Sequence, residues 1–209
     1  MKNYLTELVG TYIFVLVIGL AVMGGSVITP IAIGSALMVM VYMGGHISGG
    51  HYNPAVTLAL TMRGKAPTSQ FVPYVLSQLV GSVLASLSVY LIQGQTFTIA
   101  PGLEVTSLEA VIVEVLFTFA LALVVLNVAT HPKVANNSFY GLAIGFTVMA
   151  GAASGGPISG GAFNPAVGTG PILIDAMVGG GSAGNLWIYW VGPLIGGALA
   201  SVVYGIQEK

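Results

Sequence analysis

Two asparagines, Asn53 and Asn164, sit in near-identical settings 111 positions apart: GGHISGGHYNPAV over residues 44–56 and GGPISGGAFNPAV over residues 155–167. Asn followed by Pro is a helix start, with Asn at the N-cap and Pro at the first helical position, where its missing N–H costs nothing. A carboxamide accepts with its oxygen and donates with its nitrogen. Each oxygen is therefore expected to cap its own helix, leaving each NH₂ as a free donor to a passing molecule. The carbonyls of Gly49, Gly50, Gly160 and Gly161 lack a helical partner in this reading and are expected to form a ladder of acceptors. Such a strip recognises by hydrogen bonding and makes or breaks no covalent bond. No acid, base, nucleophile or metal-ligating cluster stands out and cysteine is absent, so neither an enzyme nor a bound cofactor or metal is expected.

The motifs belong to a duplication. Residues 32–56 and 143–167 share 14 identities in 25. With 56% hydrophobic and 5% charged residues and a mean hydropathy of +0.94, the chain has too little charge to coat a water-soluble domain. It reads as an integral membrane protein, embedded in a lipid bilayer, with room for about six spans of roughly 20 residues. The net charge of −1 offers no surface for nucleic acid.

Spans are expected at about residues 4–23, 31–43, 71–92, 108–129, 139–153 and 186–206, and half helices at 53–62 and 164–174. The first run is long for a signal peptide and has a counterpart in the second half. Three spans per repeat is an odd number, so the second repeat enters the membrane from the opposite side. The expected fold is an all-α membrane protein of six transmembrane helices plus two re-entrant half helices, one channel domain over 1–209 with inverted repeats at about 1–100 and 101–209. The cations test this independently. Lys2, Arg63, Lys65, Lys133 and Lys209 all fall on the side of the N-terminus, and the opposite connectors, 24–30, 93–107 and 175–185, carry none. Both termini are therefore expected in the cytoplasm, at the cell membrane.

Irregular backbone at membrane depth must be buried or line a watery cavity, which places a pore or binding site where the half helices meet. Their N-termini carry roughly half a positive charge each and oppose cations from both sides.

Paired Asn-Pro-Ala motifs, Asn53-Pro54-Ala55 and Asn164-Pro165-Ala166, in a six-span inverted repeat resemble the aquaporin or major intrinsic protein family along the whole chain. The resemblance implies a homotetramer with one pore per subunit, passing water or small neutral solutes such as glycerol, ammonia, urea or hydrogen peroxide, with half-helix dipoles excluding ions. It also implies a second constriction, at positions occupied here by Ile33, Ala152, Gly161 and Val167. Family members usually carry Arg directly after the second motif, and water-specific ones an aromatic residue and a His in this ring; this chain has none of these. The ring is expected to be wider, more apolar and less cation-repelling. Glycerol channels usually follow that Arg with Asp, whereas here Gly168 follows Val167, and Tyr189-Trp190 look more like the water-channel branch.

Two intramembrane carboxylates, Glu7 and Glu114, admit a proton relay and thus an alternative function as a proton-coupled transporter. The family resemblance instead favours a structural role, satisfying loop N–H groups of their own repeat. His46 and His51 flank the first motif, His46 as a candidate cytoplasmic pH sensor and either as a hydrogen-bonded loop residue. Gly192 and Gly196, one turn apart, are expected to form a helix-packing seam.

Overall fold

Lipid offers no partner for a backbone amide, so a chain this apolar must close its own hydrogen bonds. The computed structural model describes residues 1–208, which are helical with no strand; Lys209, counted above among the cations, lies outside the described residues. In chain order the helices are α1 (Lys2–Met23), α2 (Thr29–Ser48), α3 (Pro54–Met62), α4 (Phe71–Gln93), α5 (Ser107–Thr130), α6 (Tyr140–Ser159), α7 (Pro165–Ile174) and α8 (Ile188–Gln207). All but α3 and α7 belong to six segments long and apolar enough to cross a membrane.

The packing repeats with the sequence. α1 lies along α4 and α2 as α5 lies along α8 and α6; α7 packs on α4 as α3 packs on α8. The halves meet where α2 crosses α6. At that crossing Gly34 and Gly145 face one another, and a methyl on either would meet the carbonyl oxygen of the other. Gly192 and Gly196 form the expected seam, lying against the backbone of α5 at Val111 and Val115. Arg63 and Lys65 at the exit of α3 reach Glu208 at 2.9 and 2.7 Å, so that exit and the chain end share one face.

Two helices run further than expected. α2 was expected to stop near Met43 and α6 near Ala153, yet they continue to Ser48 and Ser159, through Gly44-Gly45 and through Gly155-Gly156-Pro157. A helical glycine costs about 1 kcal/mol relative to Ala, but an unpaired backbone at membrane depth costs several. The glycines also make room: a Cβ on Gly44 would strike Tyr52, and one on Gly155 would crowd Phe163. Both helices stop at a left-handed glycine, Gly49 (φ 94°) and Gly160 (φ 90°), a conformation available to few residues with a side chain.

Candidate functional site

Each half helix is held from behind by a carboxylate. Glu7, fully buried on α1, accepts four hydrogen bonds: from Ser48 Oγ (2.7 Å), His51 N (3.0 Å), Tyr52 N (2.7 Å) and Gln78 Nε2 (2.8 Å). Glu114, fully buried on α5, accepts three, from Ser159 Oγ (2.8 Å), Ala162 N (3.0 Å) and Phe163 N (2.6 Å). Tyr74 Oη and Tyr189 Oη donate to the last helical carbonyls, of Ser48 and Ser159, at 2.7 and 2.6 Å. These bonds fix loops that regular structure cannot, because their amides lie at membrane depth.

The asparagines cap their helices as expected. Asn53 Oδ1 accepts from the amides of Ala55 (2.8 Å) and Val56 (3.4 Å), and Asn164 Oδ1 from Ala166 N (2.9 Å). The expectation of wholly free NH₂ groups is corrected. Asn53 Nδ2 donates to Phe163 O and Asn164 Nδ2 to Tyr52 O, both at 2.9 Å, so one proton of each amide bridges the two repeats. The cause is the backbone of the preceding residue. Tyr52 (φ 47°) and Phe163 (φ 50°) are left-handed, at a cost of roughly 1–2 kcal/mol each, which turns each carbonyl toward the opposite Asn. The same two residues give their N–H groups to Glu7 and Glu114, so the backbone donor and acceptor of each are both bonded. The second amide proton of each Asn has no partner among the described residues.

Asn53 and Asn164 line a central cavity together with Gly50, His51, Val56 and Leu121. Its volume of about 20 Å³ exceeds the 10–15 Å³ that one water needs. Phe14, Val148 and Ala162 continue from this cavity into a vestibule of about 340 Å³ toward the face of the 93–107 connector. Ile33, Ala152, Gly161 and Val167 all line that vestibule, and no charged side chain among the described residues does. Gly160 borders it too, whereas Gly49 borders neither cavity. None of the carbonyls of Gly49, Gly50, Gly160 and Gly161 accepts a hydrogen bond from the described residues.

Comparison with known proteins agrees with this geometry. Residues 1–204 match the family profile "Major intrinsic protein". The chain belongs to the major intrinsic protein family. It is 38% identical to "Probable aquaporin TIP2-2" of Arabidopsis thaliana over 98% of this chain and 86% of the relative, and 36% identical to "Aquaporin NIP1-1" of Zea mays over 99% and 74%. It superposes on the X-ray structure of the aquaglyceroporin from Plasmodium falciparum with a TM-score of 0.85, covering 97% of this chain and 94% of that one at 19% identity. The major intrinsic proteins are a family of channels, and this one is an integral, multi-pass membrane protein.

Two features of this major intrinsic protein escaped the reading of its sequence. One is the connector: Thr98, Ile99 and Ala100 form part of the vestibule wall. Its only signal was the alternation of Thr96, Phe97, Thr98 and Ile99, which buries Phe97 and Ile99. The other is the place of His51: it is the hydrogen-bonded loop residue expected, with Nδ1 3.1 Å from Thr57 Oγ1, and it also borders the central cavity, which was not expected. His46 instead faces a separate cavity of about 320 Å³ at the opposite mouth, with His131, Asn136, Asn137 and Tyr140.

Proposed function

We propose that this chain forms a passive channel for water and small neutral solutes that excludes ions at the centre of its lumen. The observation that carries this is the meeting of two Asn-capped half-helix N-termini at a cavity large enough to hold one water. Roughly half a positive charge at each N-terminus opposes cations, while the spare amide protons of Asn53 and Asn164 replace hydrogen bonds that a neutral permeant gives up on leaving bulk water. Gly50 and Gly160, which border the two cavities, supply acceptors along the path. Pro54, Ala55, Pro165 and Ala166 set the two helix starts.

In this reading Ile33, Ala152, Gly161 and Val167 form the outer constriction. Lacking an Arg, it imposes little charge and little bulk, so it admits neutral solutes besides water, glycerol, urea, ammonia and hydrogen peroxide among the candidates. The chain acts as one domain of two inverted repeats, about 1–100 and 101–209, assembled as a homotetramer with a pore in each subunit. Its place is the cell membrane with both termini cytoplasmic, and the cations at residues 2, 63, 65 and 133 support that orientation. The proton-coupled alternative has no support. Glu7 and Glu114 lie behind the loops, occupied by four and three donors, and neither borders the lumen.

The test is stopped-flow osmometry on proteoliposomes with water and each neutral solute in parallel. Flux should follow the solute gradient alone and ignore an uncoupler; uncoupler-sensitive accumulation against a gradient would overturn the channel reading.

A further inference from the structure

An extended segment cannot stay in a pore wall by its own backbone pairing, so the 96–101 stretch needs anchors. Three exist. The Phe97 ring lies in the space beside Gly19 and Val89, where a Cβ on Gly19 would collide with it. Gly102 N donates to Ile158 O at 2.9 Å, fastening the far end to α6. At the near end Thr96 Oγ1 donates to Asp175 Oδ1 at 2.6 Å.

The last anchor differs from the others because Asp175 directly follows α7, the half helix that begins at Asn164 and carries Val167. We propose that Asp175 and Thr96 form a clasp that couples α7 to the connector and so sets the width of the outer vestibule; this deepens, and rests on, the channel reading above. Both are positioning residues, since neither borders the lumen.

The glycine run after α7 is shaped around this carboxylate. A Cβ at Gly179 would strike Asp175 Oδ1 and Thr96 Oγ1, and one at Gly181 would strike Asp175 Oδ2. Gly181 N also donates to the Asp175 carbonyl at 3.2 Å, wrapping the loop over the side chain. Downstream of the clasp, Thr98, Ile99 and Ala100 line the vestibule together with Ile33, Ala152 and Val167. The backbone of Ala100 lies so close to Gly160 that no Cβ fits between them. The vestibule is thus lined by the body of the bundle and by a strap whose tie to α7 is one charge-assisted hydrogen bond.

The test compares Thr96→Val, Asp175→Ala, their double mutant and the conservative Thr96→Ser, all in the full chain. In proteoliposomes, permeability to neutral solutes of rising size is measured relative to water. Thr96→Val and Asp175→Ala should raise the larger-solute ratios several-fold, the double mutant should add nothing further, and Thr96→Ser should keep the wild-type ratios. In detergent, hydrogen exchange of the Gly102 amide, which is bonded to Ile158 O, should quicken at least roughly tenfold in Thr96→Val, the low end of what one lost bond to a charged group represents. Unchanged ratios and exchange in Thr96→Val, or Thr96→Ser behaving like Thr96→Val, would overturn the clasp. Water and solute permeabilities falling in proportion would reduce it to a folding contact and overturn the selectivity role. A wild-type protein without facilitated flux would overturn the channel reading and the selectivity role together, whereas wild-type flux with unchanged ratios overturns the clasp alone.

Discussion

The two half-helix sites share a frame and differ in what fills it. Both have a buried Glu, a Ser at the end of the preceding helix, a capping Tyr and an Asn reaching across to the other repeat. Only the first adds a polar cluster: Gln78 Nε2 bridges Glu7 and Thr57 Oγ1, at 2.8 and 3.1 Å, and Thr57 meets His51. The positions that correspond in the second repeat hold Pro193, Gly168 and Ala162. The shared frame is therefore what building two opposed helix starts at membrane depth requires. The cluster is what one side adds, and it leaves the central cavity bordered by His51 on one side and by the methyl of Ala162 on the other.

The largest way to break the comparison is to remove a carboxylate. Glu114→Ala removes three hydrogen bonds from buried donors and should cost at least about 3 kcal/mol, and Glu7→Ala, which removes four, at least about 4 kcal/mol, at about 1 kcal/mol per bond lost. Thermal unfolding in detergent reads both, and equal losses would show that the extra Gln78 bond adds nothing. Next in size is Asn164→Asp, which places a carboxylate where two dipoles exclude cations. Cation conductance should rise; current and reversal potential unchanged from wild type would mean that Asn164 does not set ion exclusion.

The outer half is sharpened by Val167→Arg, which brings five donors and a permanent charge into an apolar ring. The ratio of glycerol to water permeability should fall, and Ala152→His should lower it too by adding bulk. A ratio that holds or rises in both places the selective point elsewhere. Thr57→Val tests the inner cluster. It strips a partner from His51 and from Gln78, should cost roughly 1–2 kcal/mol, and has no counterpart to lose at Gly168.

The smallest effect belongs to the clamp at the chain end. The hydrogen bonds from Lys65 and then Arg63 hold the Glu208 carboxyl below its ordinary value of 4.5, and Glu208 in turn raises Lys65 above 10.5. A depressed carboxyl contributes stability above its unfolded value and loses it as pH falls through the folded one. A raised ammonium contributes below its unfolded value and loses it as pH rises through the folded one. Unfolding of wild type against Glu208→Gln should thus differ by a nearly constant amount between about pH 5 and 10, shrinking in acid as Glu208 is protonated and shrinking in part in alkali as Lys65 loses its proton, the Arg63 share remaining. The difference should be small because the pair is exposed and screened by salt.

The sequence by itself determined the duplication, the six spans, the two half helices and the lumen asparagines. Those follow from local signals: apolar runs of bilayer length, Asn-Pro at a helix start, an odd number of spans per repeat. Helix ends were less legible. Gly44-Gly45 and Gly155-Gly156-Pro157 look like breakers by propensity, and only the cost of unpaired backbone among packed neighbours keeps them helical. The crossed bonds from Asn53 to Phe163 O and from Asn164 to Tyr52 O, like the entry of Thr98–Ala100 into the vestibule, were decided by tertiary structure alone. Each joins groups from different repeats or connectors, and no periodicity within one segment records which distant carbonyl or carboxylate will stand opposite it.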